Sequence, residues 1–255
     1  RKLKEMIDND ELGKINRINW IITDWFRPEA YYANGDWRAT WSGEGGGVLM
    51  NQCPHQLDLW QWLFGMPDKV RAFAQLGRFH HIEVEDDVTA YFEYDNGTHG
   101  VFVTSTGESP GTNRLEIAAE NGKVVIEGAD MQFIRNAVPT SEFSKTCTGV
   151  FDSPAREPVD VELGANGEQH LGIMKNFVAA IRGEDALLAP AGEGIRMVEL
   201  ANAMILSGLT DSTIHLPIDA DAYERKLKSL IDDSTFVKQT VDRGVASSQD
   251  MSSSF

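Results

Sequence analysis

The sequence predicts an α+β protein built on one large, open, mainly antiparallel sheet with helices packed on one face. Three observations carry this. Apolar residues alternate through the middle of the chain, first Val70, Ala72, Ala74 and Leu76, then Val88, Ala90, Phe92 and Tyr94, at the two-residue period of a strand. Asn96-Gly97 and Asn121-Gly122 interrupt such runs, as hairpin turns do. Helical spacing of apolar residues takes over on both flanks of this region.

In chain order, Leu3, Met6 and Ile7 fall at helical spacing, and Gly13 stops that helix. The chain opens with Arg1 inside this pattern rather than with Met, so the helix is expected to belong to something upstream. Residues 14–26 read as a strand with Ile18, Trp20 and Ile22 on one face. Residues 27–47 read as loop, with Pro28, Tyr31, Tyr32, Asn34, Gly35, Trp37, Arg38, Trp41 and glycines at 43, 45, 46 and 47. A loop this long inside a compact domain is usually functional or disordered, and its aromatic residues favour a binding loop. A helix follows to about residue 64, then the alternating strands. Leu115, Ile117 and Ala119 face Val124–Ile126 across the second turn, and a further strand is expected near 131–135. Residues 136–167 are loop-like, with a short strand at 158–163. Helices at 168–182 and 193–209, a strand Thr213–Ile218 and a helix at 219–232 capped by Asp219 complete the fold. Residues 240–255 are polar and serine-rich, a tail either disordered or docked.

Composition narrows the function. The net charge is −16 over 255 residues, without the clustered Lys and Arg that phosphate binding needs, so a nucleic-acid partner is not expected. No apolar run reaches the roughly 18–20 residues of a membrane span, and no signal-peptide pattern follows Arg1. A cytoplasmic location is the expectation. Cys53 and Cys147 have no zinc spacing and read as two free thiols.

The most informative stretch is 45–65, where a glycine cluster runs into a helical pattern. Asn51, His55, Asp58 and Trp62 fall at i, i+4, i+7 and i+11, which places them on one stripe of a continuous helix. Leu49, Leu57, Trp60, Leu63 and Phe64 lie off that stripe and are expected to face the core. Two readings stand: a site stripe, or His55 and Asp58 merely pairing with each other. Arg38, between Trp37 and Trp41, is either a substrate-facing cation or one half of a loop-pinning salt bridge. Phe79–Asp87 carries two histidines and four acids, but adjacent His80 and His81 point to opposite faces of an extended chain. That stretch reads as a solvated loop rather than a metal site. No dinucleotide-binding glycine fingerprint is present: Gly43-Glu44-Gly45-Gly46-Gly47-Val48 fails at its last position and precedes no βαβ unit.

Trp37-Arg38-Ala39-Thr40-Trp41, Gly45–Asn51, His55-Gln56-Leu57-Asp58 and Leu63–Pro67 resemble the Gfo/Idh/MocA oxidoreductases, the family of glucose–fructose oxidoreductase and inositol dehydrogenase. Val84–Asp87, Tyr94–Gly97, Asn176-Phe177 and Val198–Ala203 agree with it, so the likeness spans about residues 1–232. That family joins a Rossmann domain to a C-terminal domain with an open sheet. The resemblance implies that this chain is the second half: residues 1–12 a remnant helix or linker, 13–232 the substrate-binding and oligomerising domain, and 233–255 a polar tail.

The resemblance also implies chemistry. Members oxidise a secondary hydroxyl of a sugar or cyclitol, or reduce the ketone, with NAD or NADP. The cofactor would be held in the full-length protein and not by this half alone. A lysine of the Rossmann half assists, and an Asp and a His four residues apart come from the C-terminal half. Here His55 takes the His position, while Asn51 stands where the Asp would be. His55 is then the acid–base group. Asn51 orients substrate without exchanging a proton, and Asp58 either fixes the imidazole tautomer or makes a core contact. Trp37, Arg38 and His170 complete the substrate side, while Tyr31 and Tyr32 either line a sugar pocket or simply pack within the loop. A homo-oligomer formed through the sheet is expected, with no metal. A non-catalytic binding or assembly module, or redox-neutral chemistry with retained NAD, is the alternative.

Overall fold

A computed structural model describes residues 1–164 and 167–240. The serine-rich stretch 241–255 lies outside the described residues. Among the described residues nine strands form one sheet: β1 (Ile15–Ile22), β2 (Lys69–Leu76), β3 (Glu85–Glu93), β4 (His99–Ser105), β5 (Asn113–Ala119), β6 (Gly122–Glu127), β7 (Asp130–Asn136), β8 (Arg156–Val159) and β9 (Ile214–His215). Their order is β8-β7-β6-β5-β1-β4-β3-β2-β9. Neighbours are antiparallel except β1 with β4.

That one parallel pair explains the layout. The chain leaves β1, crosses the sheet through residues 23–68, and re-enters at β2 near the far edge. It then meanders through β3 and β4 until β4 lies beside β1. A parallel pair needs a long connection of this kind. The crossover contains every candidate site residue except His170.

The helices are α1 (Lys2–Asp8), α2 (Glu29–Tyr32), α3 (Val48–Asn51), α4 (Pro54–Phe64), α5 (Thr140–Thr146), α6 (His170–Ile181), α7 (Gly194–Thr210) and α8 (Ala220–Asp232). Leu57 and Trp60 of α4, and Leu200, Ala201, Met204 and Ile205 of α7, are buried with the inward residues of the strands. Those strand residues alternate as expected: Ile18, Trp20 and Ile22 on β1, Val88, Ala90 and Phe92 on β3. Ser207 ties α7 to the sheet, its Oγ accepting from the Ala72 amide at 2.8 Å and donating to the Ser212 carbonyl at 2.6 Å.

Trp60 is the centre of the core. Its ring lies 4.9 Å from Phe92, 6.1 Å from Phe102 and 6.5 Å from Trp20, centroid to centroid. Its indole N–H donates to the Tyr94 hydroxyl at 2.8 Å, and that hydroxyl donates to the Gly65 carbonyl at the end of α4. The indole fits because Gly100 on β4 has no side chain: a Cβ there would sit 2.5 Å from the Trp60 ring.

Several expectations are corrected. The helix expected to run unbroken to residue 64 is two helices, with Gln52 and Cys53 between them. Pro54 starts α4 at its first position, where a missing N–H costs nothing, and the Cys53 thiol meets the Thr104 hydroxyl at 2.9 Å. The loop expected at 27–47 carries the one-turn helix α2, and the short helix α5 lies in the segment read as loop. The strand expected at 158–163 is Arg156–Val159, and that at 213–218 shrinks to Ile214–His215. Asp219 does cap α8, accepting from the Ala222 amide at 2.9 Å.

Gly100→Ala should cost about 1–3 kcal/mol through overpacking. Adding Trp60→Phe, which removes the ring atoms nearest Gly100, should recover part of that loss. Urea unfolding of both variants checks this, and simple additivity of the two changes would contradict the contact.

Candidate active site

The site is built outward from a buried carboxylate. Glu85, at the start of β3, is fully buried. Its Oε1 accepts from the amides of Gly47 at 2.8 Å and Leu49 at 3.1 Å, the first free N–H groups of α3. The approach requires glycine at 47, since a Cβ there would lie 2.0 Å from the Glu85 carbonyl oxygen. Oε2 is buried without a partner among the described residues, and burial pushes the Glu85 carboxyl up to about 7. These glycine-segment amides are therefore committed to a carboxylate of the protein itself.

At its other end α3 presents Asn51 to a polar array. The Tyr31 hydroxyl donates to Asn51 Oδ1 at 2.7 Å, Gln52 Nε2 donates to the same oxygen at 2.8 Å, and Asn51 Nδ2 donates to Glu44 Oε1. Arg38 Nη1 donates to the Tyr31 hydroxyl at 2.6 Å. The Arg38 guanidinium lies 4.3 Å from the Tyr31 ring centre and 4.5 Å from that of Trp37. Arg38 makes no salt bridge among the described residues, so aromatic faces hold it where an acid was the other reading. Tyr32 is buried in the core, its hydroxyl 2.8 Å from that of Thr106.

His55 lies on the other side of the break, exposed on α4. With Asp58, Leu59 and Trp62 it lines a cavity of about 720 Å³, closed opposite by Ile173 of α6, Leu188 and Met197 of α7. Asp58 Oδ1 accepts from Gln61 Nε2 at 3.0 Å, and His55 makes no hydrogen bond among the described residues. The His55–Asp58 pair, in either of its readings, is not formed. The structure thus gathers Arg38, Trp37, Tyr31 and Asn51 in one place and His55, Asp58 and Trp62 in another. His170 opens α6, is exposed, and lines neither.

Two features escaped sequence reasoning. Glu44 and Gln52 belong to the array, yet nothing in their spacing marks them. The stretch read as a solvated loop instead contains a buried pair: His80 Nδ1 lies 2.9 Å from Asp86 Oδ2 and Nε2 lies 2.7 Å from the Arg27 carbonyl oxygen. Both ring nitrogens face acceptors, as an imidazolium requires. Burial disfavours that charge, but the Asp86 carboxylate and the Arg27 carbonyl outweigh it and raise the His80 pKa. For Asp86, burial opposes ionisation, but the bonds from His80 and the Phe79 and Arg78 amides lower its pKa. The chain beyond α8 also packs over the 27–47 loop and the 79–84 stretch. Ser234 bonds Glu83, Phe236 lies 5.1 Å from His81, and Lys238 donates to the Arg38 carbonyl at 2.6 Å.

With this geometry in hand, the comparisons are specific. Residues 1–125 match the family model described as the GFO/IDH/MocA C-terminal domain. Residues 1–125 are of the Gfo/Idh/MocA C-terminal-domain type. A WlbA dehydrogenase from Chromobacterium violaceum, solved with NADH and UDP-GlcNAcA, is 28% identical with a TM-score of 0.67, over 85% of this chain and 59% of that one. The Bordetella pertussis WlbA dehydrogenase, also solved with NADH and UDP-GlcNAcA, has 24% identity and a TM-score of 0.66, over 85% and 59% of the two chains. A levoglucosan dehydrogenase with NADH and levoglucosan has 17% identity and a TM-score of 0.63, over 84% and 62%. This chain therefore spans about three fifths of the length of these structures. The last two likenesses concern the fold alone. No curated protein matches the chain. Among the described residues no helix is long and apolar enough to cross a membrane.

The perturbed groups set a pH dependence of this domain's stability. The raised pKa values of Glu85 and His80 mean that the folded chain holds more protons than the unfolded one from about pH 5 upward. Stability should therefore fall from about pH 5 to about pH 8, whereas Asp86, with its lowered pKa, withdraws stability only below the ordinary carboxylate range. Melting temperatures across that interval check the sign, and Glu85→Gln, which keeps an acceptor for the two amides, should flatten the slope.

Proposed function

We propose that this chain supplies the substrate side of an NAD(P)-dependent oxidoreductase acting on a secondary hydroxyl or ketone of a sugar or cyclitol. The observation that carries the reading is His55, an imidazole on α4 without a partner among the described residues, at the mouth of a largely apolar cavity. Leu59 and Trp62 of α4 and Ile173 of α6 line that cavity and are exposed, and α6 carries further exposed apolar side chains in Leu171, Met174, Phe177 and Ile181. A surface of that kind calls for a covering partner. In this reading the partner is a nucleotide-binding unit, and residues 13–232 are the domain that it covers.

The residues present do not fit a dinucleotide's pyrophosphate. The amides of Gly47 and Leu49 are taken by Glu85, and that carboxylate would repel a phosphate. Cofactor binding accordingly belongs to the covering unit, whose nicotinamide would carry the hydride chemistry. The present chain's part is to bind and to move a proton. His55 exchanges the alcohol proton at its ring, Asp58 and Trp62 shape the cavity wall, and Arg38 and Trp37 take polar parts of the substrate. Arg38 retains Nη2 without a partner among the described residues, a donor suited to a hydroxyl, carboxylate or phosphate oxygen. Asn51 is an orienting group at most, because its oxygen already accepts two hydrogen bonds. That saturation is the one observation favouring the rival reading of a non-catalytic binding module.

The sheet's uncovered face fits an oligomer interface. Phe73, Thr89, Val103 and Ile21 lie in register across four strands there, with Tyr91 and Val101 in the adjacent row. Phe73 is 58% exposed and Tyr91 40%. Sedimentation at micromolar concentration should give a dimer or tetramer, and Phe73→Glu should shift it toward monomer.

The deciding experiment uses the intact gene product with NAD and NADP on a panel that includes UDP-GlcNAcA and levoglucosan. A sugar-dependent change in nicotinamide absorbance is expected. His55→Ala should lower kcat by about 10²–10⁴-fold with an unchanged melting temperature. Full turnover in that variant would remove His55 from the chemistry, and no turnover on any sugar would favour the binding module.

A further inference from the structure

The direction of every hydrogen bond in the polar array is set from one end. A carboxylate only accepts, so Glu44 forces the nitrogen of the Asn51 amide to face it and the oxygen to face Tyr31. The Tyr31 hydroxyl must then donate to Asn51, which leaves its lone pairs for Arg38 Nη1 and Gln52 Nε2. The other oxygen of Glu44 accepts from the Ala39 amide at 2.5 Å. Ala39 holds a φ of +54°, a conformation costly for a residue with a side chain, and it directly follows Arg38 in the chain. One carboxylate therefore fixes both the turn that presents Arg38 and the amide that ends the array.

We infer that Glu44 is the positioning residue of the substrate side, orienting Asn51, Tyr31 and Arg38 as one unit whose outward end carries only N–H donors. The inference rests on the proposed function for its meaning in catalysis, and on geometry alone for the coupling itself. It also accounts for the residue at 51. An aspartate there would set two carboxylates against each other, so with glutamate at 44 the position requires an amide.

The coupling predicts a swap. In Glu44→Gln, the single amide oxygen can serve the Ala39 amide or Asn51 Nδ2, not both. In Asn51→Asp, two acceptors face each other. In the double variant, the introduced side-chain amide at position 44 accepts from the Ala39 amide through its oxygen. Its nitrogen donates to the new carboxylate, which still accepts from Tyr31 and Gln52.

Hydrogen exchange of the peptides covering residues 37–51 tests this without any substrate. Each single variant should speed exchange about tenfold, the scale of one lost hydrogen bond to a charged group, and the double variant should return to within about threefold of the parent. Wild-type protection in Glu44→Gln, or a double variant no better than the worse single, overturns the proposal. For any sugar that the intact protein turns over, Glu44→Gln should raise KM about tenfold while kcat stays within about threefold, and the swap should reverse it. A protein that turns over no sugar leaves the exchange cycle to decide the coupling, so failure of the functional reading and failure of this one are told apart.

Discussion

The bond on which the site depends is made by a carboxylate that sequence rules would place in water. Glu85 sits at the start of a central strand and receives the first amides of α3, so the sheet itself fixes where the site-bearing crossover begins. An ionised carboxylate at a helix start is favoured by the amide dipoles, but full burial with one bare oxygen opposes ionisation. Desolvation outweighs the amide bonds, and the carboxyl is lifted to about 7. Gly47 is the geometric counterpart. Only a residue without a side chain lets α3 come down onto the Glu85 backbone.

A second grip holds the far end of the crossover. Trp60 lies over Gly100, hemmed by Phe92 and Phe102, so α4 is fixed to the strands beneath it mainly by packing, with the neutral indole bond to Tyr94 beside it. The two grips differ in kind. One is electrostatic and responds to pH; the other is steric and does not. The loop before α3 has neither, and depends on its own array, on the His80–Asp86 pair that anchors Arg27, and on the segment after α8. Polar loops of this sort hold their shape through satisfied hydrogen bonds more than through buried area.

Much of the fold was legible because period-two alternation and Asn-Gly turns are local signals, and β1 to β6 were read from them. The parallel pairing of β1 with β4 was not legible, since it joins residues some eighty positions apart and leaves no mark on either strand. The resemblance pointed to the right family, and the residues that carried it lie mainly in the crossover. Pro54 was the signal that the helix breaks, yet apolar spacing continues through it, and periodicity outweighed the punctuation. Glu44, Glu85, Asp86 and His80 were misread or passed over for one reason. A charged residue is taken as solvated until its partners are known, and those partners are backbone amides and carbonyls brought near only by the fold.

The broken helix also bears on how the site divides its work. In a continuous helix, residues four apart lie about 40° apart and face the same way, so Asn51 and His55 would share one surface. The turn at Gln52 and Cys53 removes that constraint. Asn51 turns into a saturated array with the loop, where every hydrogen-bond direction is fixed, and His55 is left on α4 with both ring nitrogens free to face the cavity. An immobile set of donors and an uncommitted imidazole need different surroundings: full satisfaction for one, none for the other. The break lets one short stretch of chain supply both.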